Sequence, residues 1–308
     1  MKVVVTGGTG LVGHGISKVL GNFPDYEVVL ASSKSCNLLD FKSTKDFFAK
    51  ERPDIVIHLA ANVGGLFKNM NQKVSMFENN IMINMNTIRA CYKAGVKRFV
   101  GVLSTCIFPD KTTYPINEEM LQAGPPHTSN DAYAYAKRML KVQCDAYNEQ
   151  YDVNYSCIIP TNIYGENDNY SLQDAHVIPA LIHKCYLAKE KNEPFIVAGT
   201  GKPLRQFIHA DDLAMITLRL LDHLDQDTVI VSSDEEISIK QIATYIAEAF
   251  EYEHMMKFDT TLSDGQYKKT ADNTKLISLI GEYMFIDTRT GISSVVEHFI
   301  NNKDYLRT

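Results

Sequence analysis

Apolar positions recur along this chain in two different registers. Short runs rich in β-branched residues, Lys2–Thr6, Glu27–Ala31, Asp54–His58 and Arg98–Leu103, have the length and composition of buried strands. Longer stretches between them carry helical spacing or turn residues, the rhythm that builds a parallel sheet with helices on both faces. The first half is therefore expected to be a doubly wound α/β domain. After Ser156–Pro160 the regularity fades, with Asn and Asp crowding Tyr164–Asp174 and Gly and Pro punctuating Gly199–Pro203. The pattern predicts a sheet domain over residues 1–160, with a returning segment near 205–232, and a smaller lobe occupying mainly residues 161–308. No internal repeat or low-complexity segment interrupts it.

Composition narrows the class. With 308 residues, 45% of them apolar and 22% charged, the chain can bury a large core. A formal net charge of −6 and the lack of a sustained Lys/Arg block argue against a nucleic-acid partner, while leaving room for a small phosphorylated ligand. No apolar run approaches the ~20 residues that cross a bilayer. The opening string MKVVVTGGTG enters a strand at once and has no leader-like apolar region, so a membrane or secretory route is not expected. Cys36, Cys91, Cys106, Cys144, Cys157 and Cys185 are scattered without a C-x-x-C pair, which fits reduced thiols in the cytoplasm and no metal site.

The first strand runs directly into glycines in Val3-Val4-Val5-Thr6-Gly7-Gly8-Thr9-Gly10-Leu11-Val12-Gly13, which satisfies both G-x-x-G-x-x-G and G-x-G-x-x-G. Glycine allows the tight turn and lets backbone N–H groups approach a pyrophosphate, whose charge the following helix N-terminus stabilises. Gly7 through Gly13 are thus expected to hold a dinucleotide. An Asp or Glu ending the second strand would bond the ribose 2′-OH of NAD. Here Ser32, Ser33 and Lys34 stand in that place, and two hydroxyls with an ammonium suit the 2′-phosphate of NADP(H).

Tyr133 and Lys137 lie four apart in Asp131-Ala132-Tyr133-Ala134-Tyr135-Ala136-Lys137, so both share one helical face. A nearby ammonium lowers a phenol from its pKa of about 10 and makes it a proton donor to an alkoxide formed by hydride transfer. With 16 tyrosines in the chain, chance alone predicts about one pair at this spacing. The position carries the weight. The pair follows the fourth strand and Leu103-Ser104-Thr105-Cys106, where a Ser at the strand's carboxyl end stands beside a bound cofactor.

The Thr-Gly-Gly-x-Gly loop, the Leu59-Ala60-Ala61 turn, Ser104 and the Tyr133/Lys137 pair together resemble the extended short-chain dehydrogenase/reductase family, a Rossmann-type α/β family that works mostly on nucleotide sugars. Ser104 and Cys106 are one residue apart, so if the strand persists both point the same way. A thiolate can act as a base when a cation lowers its pKa, and His176 follows the loop expected to cap the site. The strings around these residues sharpen the resemblance to the GDP-L-fucose synthase family, the 3,5-epimerase/4-reductases of GDP-4-keto-6-deoxy-D-mannose. They include Val63-Gly64-Gly65-Leu66, Leu103-Ser104-Thr105-Cys106-Ile107-Phe108-Pro109, Gly124-Pro125-Pro126-His127, Pro160-Thr161-Asn162, His176-Val177-Ile178-Pro179, Arg205-Gln206-Phe207 and Ser263-Asp264-Gly265-Gln266.

That resemblance covers essentially the whole chain and implies a two-part reaction. Cys106 and His176 would invert C3 and C5 through enolates acidified by the C4 carbonyl. NADPH would then reduce C4, with Tyr133 giving the proton, Lys137 holding the nicotinamide ribose and Ser104 bonding the carbonyl. It further implies cofactor contacts at Leu59, Ala60, Ala61, Pro160, Asn162 and His176, and GDP-sugar contacts at Asn162, Val177, Lys184, Arg205, Asp264 and Lys269. Family members commonly pair through two helices, here Glu78–Ala94 and Asp131–Tyr151, so a homodimer is expected. One departure stands out: Ala198 occupies a place where the family commonly has Trp, and this chain contains no Trp at all. Competing readings are a plain 4-reductase, a 4-epimerase that retains NAD, and a regulator that binds NADP without catalysis.

Overall fold

Val3, Val4 and Val5 are all fully buried but serve different cores, Val3 and Val5 joining one apolar cluster and Val4 the other. The period of two in a strand covered on both faces produces this division. The same alternation sends Ile55 and Ile57 to the first cluster and Val56 to the second.

The computed structural model describes residues 1–262, 264 and 267–308. Its first part runs β1 (Lys2–Thr6), α1 (Leu11–Val19), β2 (Glu27–Ala31), α2 (Phe41–Glu51), β3 (Ile55–His58), α3 (Leu66–Asn71), α4 (Lys73–Lys93), β4 (Arg98–Val102), α5 (Asp131–Gln150) and β5 (Asn154–Pro160). The rest runs β6 (Asn162–Tyr164), α6 (Val177–Lys191), β7 (Phe195–Ala198), β8 (Leu204–Arg205), β9 (Phe207–His209), α7 (Ala210–Leu220), β10 (Thr228–Val231), β11 (Ile237–Ser238), α8 (Ile239–Ala249), β12 (Met256–Asp259), α9 (Thr274–Ile280) and α10 (Thr288–Asn302).

Six strands form one sheet in the order β10-β5-β4-β3-β1-β2, every neighbouring pair parallel. The doubly wound α/β expectation is met. Because β1 pairs with β2 on one side and β3 on the other, the winding reverses there, and a crevice opens beyond the carboxyl ends of these strands. Val12 and Ile16 of α1 join Leu213 and Ala214 of α7 on one face. Phe48 of α2, Ile88 of α4 and Leu140 of α5 cover the other.

The outer strand β10 comes from late in the chain and pairs with β5 through Thr228↔Cys157 to Val231↔Pro160. A third apolar cluster, distinct from the two against the sheet, gathers Ile182 of α6, Phe195 of β7, Ile246 of α8 and Phe299 of α10. Helix ends follow local chemistry. Asp40 caps α2 by accepting from the Lys42 N–H at 2.8 Å, and Asn192 ends α6 with a left-handed φ of 54°. The helix expected over Glu78–Ala94 starts earlier, at Lys73. No helix among the described residues is long and apolar enough to cross a membrane.

Candidate active site

Gly7 has a φ of +72°, and a Cβ there would lie 2.8 Å from the Ala60 nitrogen. A Cβ on Gly8 would meet Leu30 at 2.7 Å, and one on Gly13 would meet the Gly8 oxygen at 2.3 Å. The loop is therefore packed to backbone contact between β1, β2 and the Leu59-Ala60-Ala61 turn. Behind Gly10, α1 begins with no side-chain cap and no acidic residue in its first turn, so its positive end is open to a phosphate. These features fit a dinucleotide pyrophosphate held over Thr9 to Val12.

Past the end of β2, Ser32 Oγ accepts from the N–H groups of Lys34 at 3.3 Å and Ser35 at 3.4 Å, forming a turn that leaves Ser33 and Lys34 exposed. No carboxylate follows β2 until Asp40. A 2′-phosphate bound there would meet hydroxyls and an ammonium and no repelling acid.

The carboxyl end of β4 departs from expectation. The strand stops at Val102, and Ser104 caps a 3₁₀ turn over Thr105–Ile107. The strand geometry that would have aligned Ser104 with Cys106 does not persist. Their proximity comes instead from the turn, in which Ser104 Oγ accepts from the Cys106 N–H at 3.5 Å. Helix α5 packs against this turn. Lys137 is buried and donates through Nζ to the Val102 carbonyl at 2.8 Å, and burial pushes its pKa down to about 8.

Tyr133, one helical turn earlier, has Cys106 as its charge neighbour, and burial pushes its phenol well up. The expected lowering by Lys137 is absent: burial and the neighbouring Cys106 both raise the phenol, and the Lys137 ammonium is engaged with Val102. A phenol that keeps its proton at neutral pH is loaded as a donor. Cys106 is also raised by burial, opposed in order by Lys269, by the Ser104 bond and by Lys137.

Lys269 reaches this cluster from the far side. Its segment is laced in place: Leu204 N–H donates to Tyr267 O at 2.9 Å, Tyr114 Oη–H to Lys268 O at 2.7 Å, and Ala271 N–H to the Gln206 side chain at 2.7 Å. Lys268 and Thr270 both turn their side chains onto Glu236. Lys269, between them, points the other way, toward Cys106, Arg205 and Asp110. Arg205 is held by the carbonyls of Leu204 at 2.7 Å and Tyr267 at 3.5 Å. Asn162 Nδ2 donates to Gln206 O at 2.8 Å, next to the buried Pro160.

The remaining residues lie around this centre. Lys184 is exposed on α6 and lines a groove of about 270 Å³ with Ile196, Ala198 and Leu262. Asp264 places both carboxylate oxygens on Thr200, at 2.6 Å from its N–H and 2.7 Å from its hydroxyl; Ser263, Gly265 and Gln266 lie outside the described residues. His176 is exposed just before α6, which Val177 opens, and no hydrogen bond or ion pair among the described residues joins it to Cys106 or Tyr133. Its charge neighbour is Asp168, a buried carboxylate whose Oδ2 has no partner among the described residues. Gly65 N–H donates to Asp174 O at 2.8 Å, so the Val63–Leu66 loop abuts the segment leading to His176.

Sequence reasoning overlooked Arg138 and Asp168. Arg138 is buried beside Lys137 and holds Ile107 O at 2.6 Å. Its place four residues after the buried Ala134, on the inward stripe of α5, was the available signal. Asp168 sits in an Asn/Asp-rich turn that gave none.

Residues 3–231 match the NAD dependent epimerase/dehydratase family. The chain is 49% identical to the GDP-L-fucose synthase of Dictyostelium discoideum over 311 residues, covering 99% of this chain and 97% of that protein. It is 44% identical to the probable GDP-L-fucose synthase of Drosophila melanogaster, covering 99% of each. Among solved structures, a GDP-L-fucose synthetase from Naegleria fowleri bound to NADP superposes with a TM-score of 0.94 at 42% identity, covering 100% of this chain and 95% of that one.

Proposed function

Since the chain belongs to the NAD dependent epimerase/dehydratase family, and within it to the GDP-L-fucose synthases, we propose that it converts GDP-4-keto-6-deoxy-D-mannose to GDP-L-fucose by 3,5-epimerisation and NADPH-dependent reduction at C4. The observation that carries this reading is the convergence of Ser104, Cys106, Tyr133 and Lys137 at the carboxyl end of β4, beside a glycine loop with no acid after β2.

The C4 carbonyl acidifies the neighbouring C–H bonds, so a base on one face and an acid on the other invert C3 and C5 through enolates, with one proton removed and one returned at each carbon. Cys106 takes the proton, a role supported by Lys269 and Lys137, whose charges favour its thiolate against burial. His176, exposed just before α6, returns one. When bound, NADPH supplies the hydride that reduces C4. Ser104 donates a hydrogen bond to the C4 oxygen, Tyr133 gives it a proton, and the Lys137 ammonium supports the charge developing there and binds the nicotinamide ribose. Gly7 to Gly13, the Leu59–Ala61 turn, Pro160 and Asn162 hold the dinucleotide, with Ser32, Ser33 and Lys34 at the 2′-phosphate.

Lys184 and Arg205 supply positive charge to the sugar nucleotide's diphosphate. Val177, Asp264 and Lys269 complete the substrate side. The groove beside Ala198 lacks the Trp common in the family and is left to Ile196 and Leu262. The sheet with its returning strand β10 acts as the NADP domain and the lobe built on α6, α8 and α10 as the GDP-sugar domain. A homodimer in the cytoplasm completes the reading. In support of pairing, Tyr135, Met139 and Val142 fall at i, i+4 and i+7 on α5 and are 38%, 40% and 41% exposed.

The test is product analysis by NMR after supplying the keto sugar and NADPH, with a parallel incubation in deuterated water and NADP+. GDP-L-fucose and deuterium at C3 are expected. Reduction without exchange would leave a plain 4-reductase, and NADPH binding with no turnover a regulator.

A further inference from the structure

One fully buried histidine has no part in the chemistry above. His58, on β3, is 0% exposed, and it lies between Thr6 at the end of β1 and Asn84 in the middle of α4, themselves 1% and 2% exposed. His58 Nδ1 and Thr6 Oγ1 are 2.7 Å apart, and His58 Nε2 and Asn84 Oδ1 are 3.1 Å apart. The chain of bonds continues at both ends. Ala60 N–H donates to Thr6 Oγ1 at 3.5 Å, and Asn84 Nδ2 donates to the carbonyl of Ala136 at 3.3 Å.

The proton positions follow from the partners. Ala136 offers only an acceptor, so the Asn84 amide must turn its NH₂ to it and its oxygen to His58. An amide oxygen cannot donate, so His58 carries its proton on Nε2. A neutral imidazole then has a bare Nδ1, which accepts a hydrogen bond from the Thr6 hydroxyl, leaving the lone pairs of the Thr6 oxygen free to accept from Ala60. Burial together with the neighbouring Lys137 ammonium pushes the imidazole pKa down to about 3, so the ring stays neutral and the bond directions are fixed.

Both ends of this relay are backbone groups that matter to the reaction. Ala60 presses on Gly7 of the cofactor loop, to within 2.8 Å of where a Cβ would stand. Ala136 immediately precedes Lys137, whose Nζ is tied to the β4 carbonyl of Val102 at 2.8 Å. A fully satisfied buried network of this kind is rigid in a way an apolar filling is not. We infer that Thr6, His58 and Asn84 are positioning residues that set the Tyr133/Lys137 turn of α5 against the dinucleotide loop, and so serve the reduction at C4 more than the epimerisation. The inference rests on the functional reading above.

Thr6→Val keeps the shape and removes the hydroxyl. Expected is a loss in kcat for NADPH-dependent reduction of about tenfold or more, with the KM for NADPH within about twofold and C3 deuterium exchange reduced far less. Thr6→Ser, which restores the hydroxyl, should recover the reduction. Equal losses in exchange and reduction, or a Thr6→Val enzyme with normal kcat, would overturn the inference.

A second measurement needs no substrate. Nitrogen-15 NMR of the histidine rings should show His58 as the Nε2–H tautomer, without titration between about pH 5 and 8, and its Nδ1 signal should shift in Thr6→Val. The other tautomer, or titration in that window, would remove the relay whatever the enzyme's substrate. A wild-type protein inert toward the keto sugar but with His58 in the stated tautomer would instead sink the functional reading and leave the network standing.

Discussion

Arg138 donates through Nε to the carbonyl oxygen of Ile107 at 2.6 Å, fastening the turn that carries Cys106 to the helix that carries Tyr133 and Lys137. The residue proposed for epimerisation and the pair proposed for reduction thus share one mechanical joint.

Cutting that joint should affect the two half-reactions unequally. Arg138→Met leaves the Ile107 carbonyl without its buried partner, at a cost of about 1–3 kcal/mol, and frees the Cys106 turn. A lower melting temperature is expected, with C3 exchange reduced more than single-turnover hydride transfer. If exchange held at the wild-type rate, the joint would have no bearing on Cys106.

The ammonium of Lys137 has a pH signature. Its pKa is pushed from 10.5 to about 8, so above about 8 the folded protein releases a proton that the unfolded chain holds until about 10.5. Stability contributed by this group therefore rises with pH across that window, and the burial penalty is felt in full below it. Catalysis should run the other way, kcat for reduction falling as pH climbs through about 8. A flat kcat profile through that range would separate Lys137 from the reduction.

Gly13→Ala tests the loop. The added Cβ would stand 2.3 Å from the Gly8 oxygen, which cannot move without opening the cradle. NADPH affinity, read by fluorescence titration, should fall about tenfold or more, with some loss of stability. Gly21→Ala is the control, since a Cβ there meets nothing within 4 Å.

The outward stripe of α5 can be charged. Val142→Glu should convert a dimer to a monomer in light scattering while thermal stability changes little, because the residue is 41% exposed in the single chain. A monomeric wild-type protein at micromolar concentration would end the dimer proposal.

The sheet was legible because each strand carries its own signal. The runs Lys2–Thr6 and Glu27–Ala31 form β1 and β2 with those limits, since short runs rich in β-branched residues mark a strand without help from distant parts. The turn after β4 was not, because Ser104 leaves the strand through a cap on Cys106, a local choice that alternation cannot register. The Tyr133/Lys137 spacing was visible, but the direction of the Tyr133 shift was not, since desolvation depends on how deeply the finished fold covers a ring. His58 sat within a strand pattern like any apolar neighbour. Only the pairing of β1 with β3, and the packing of α4 against them, gives it Thr6 and Asn84.

The strand that closes the sheet beside β5 is β10, and the ribosome makes it only after α6, β7 and α7. Until then a nascent chain exposes the unpaired edge of β5, a template open to any passing strand. The six-stranded sheet therefore matures only when α6, β7 and α7 have already emerged. A truncation before Thr228 should yield an adhesive, chaperone-bound fragment and not a free dinucleotide-binding module.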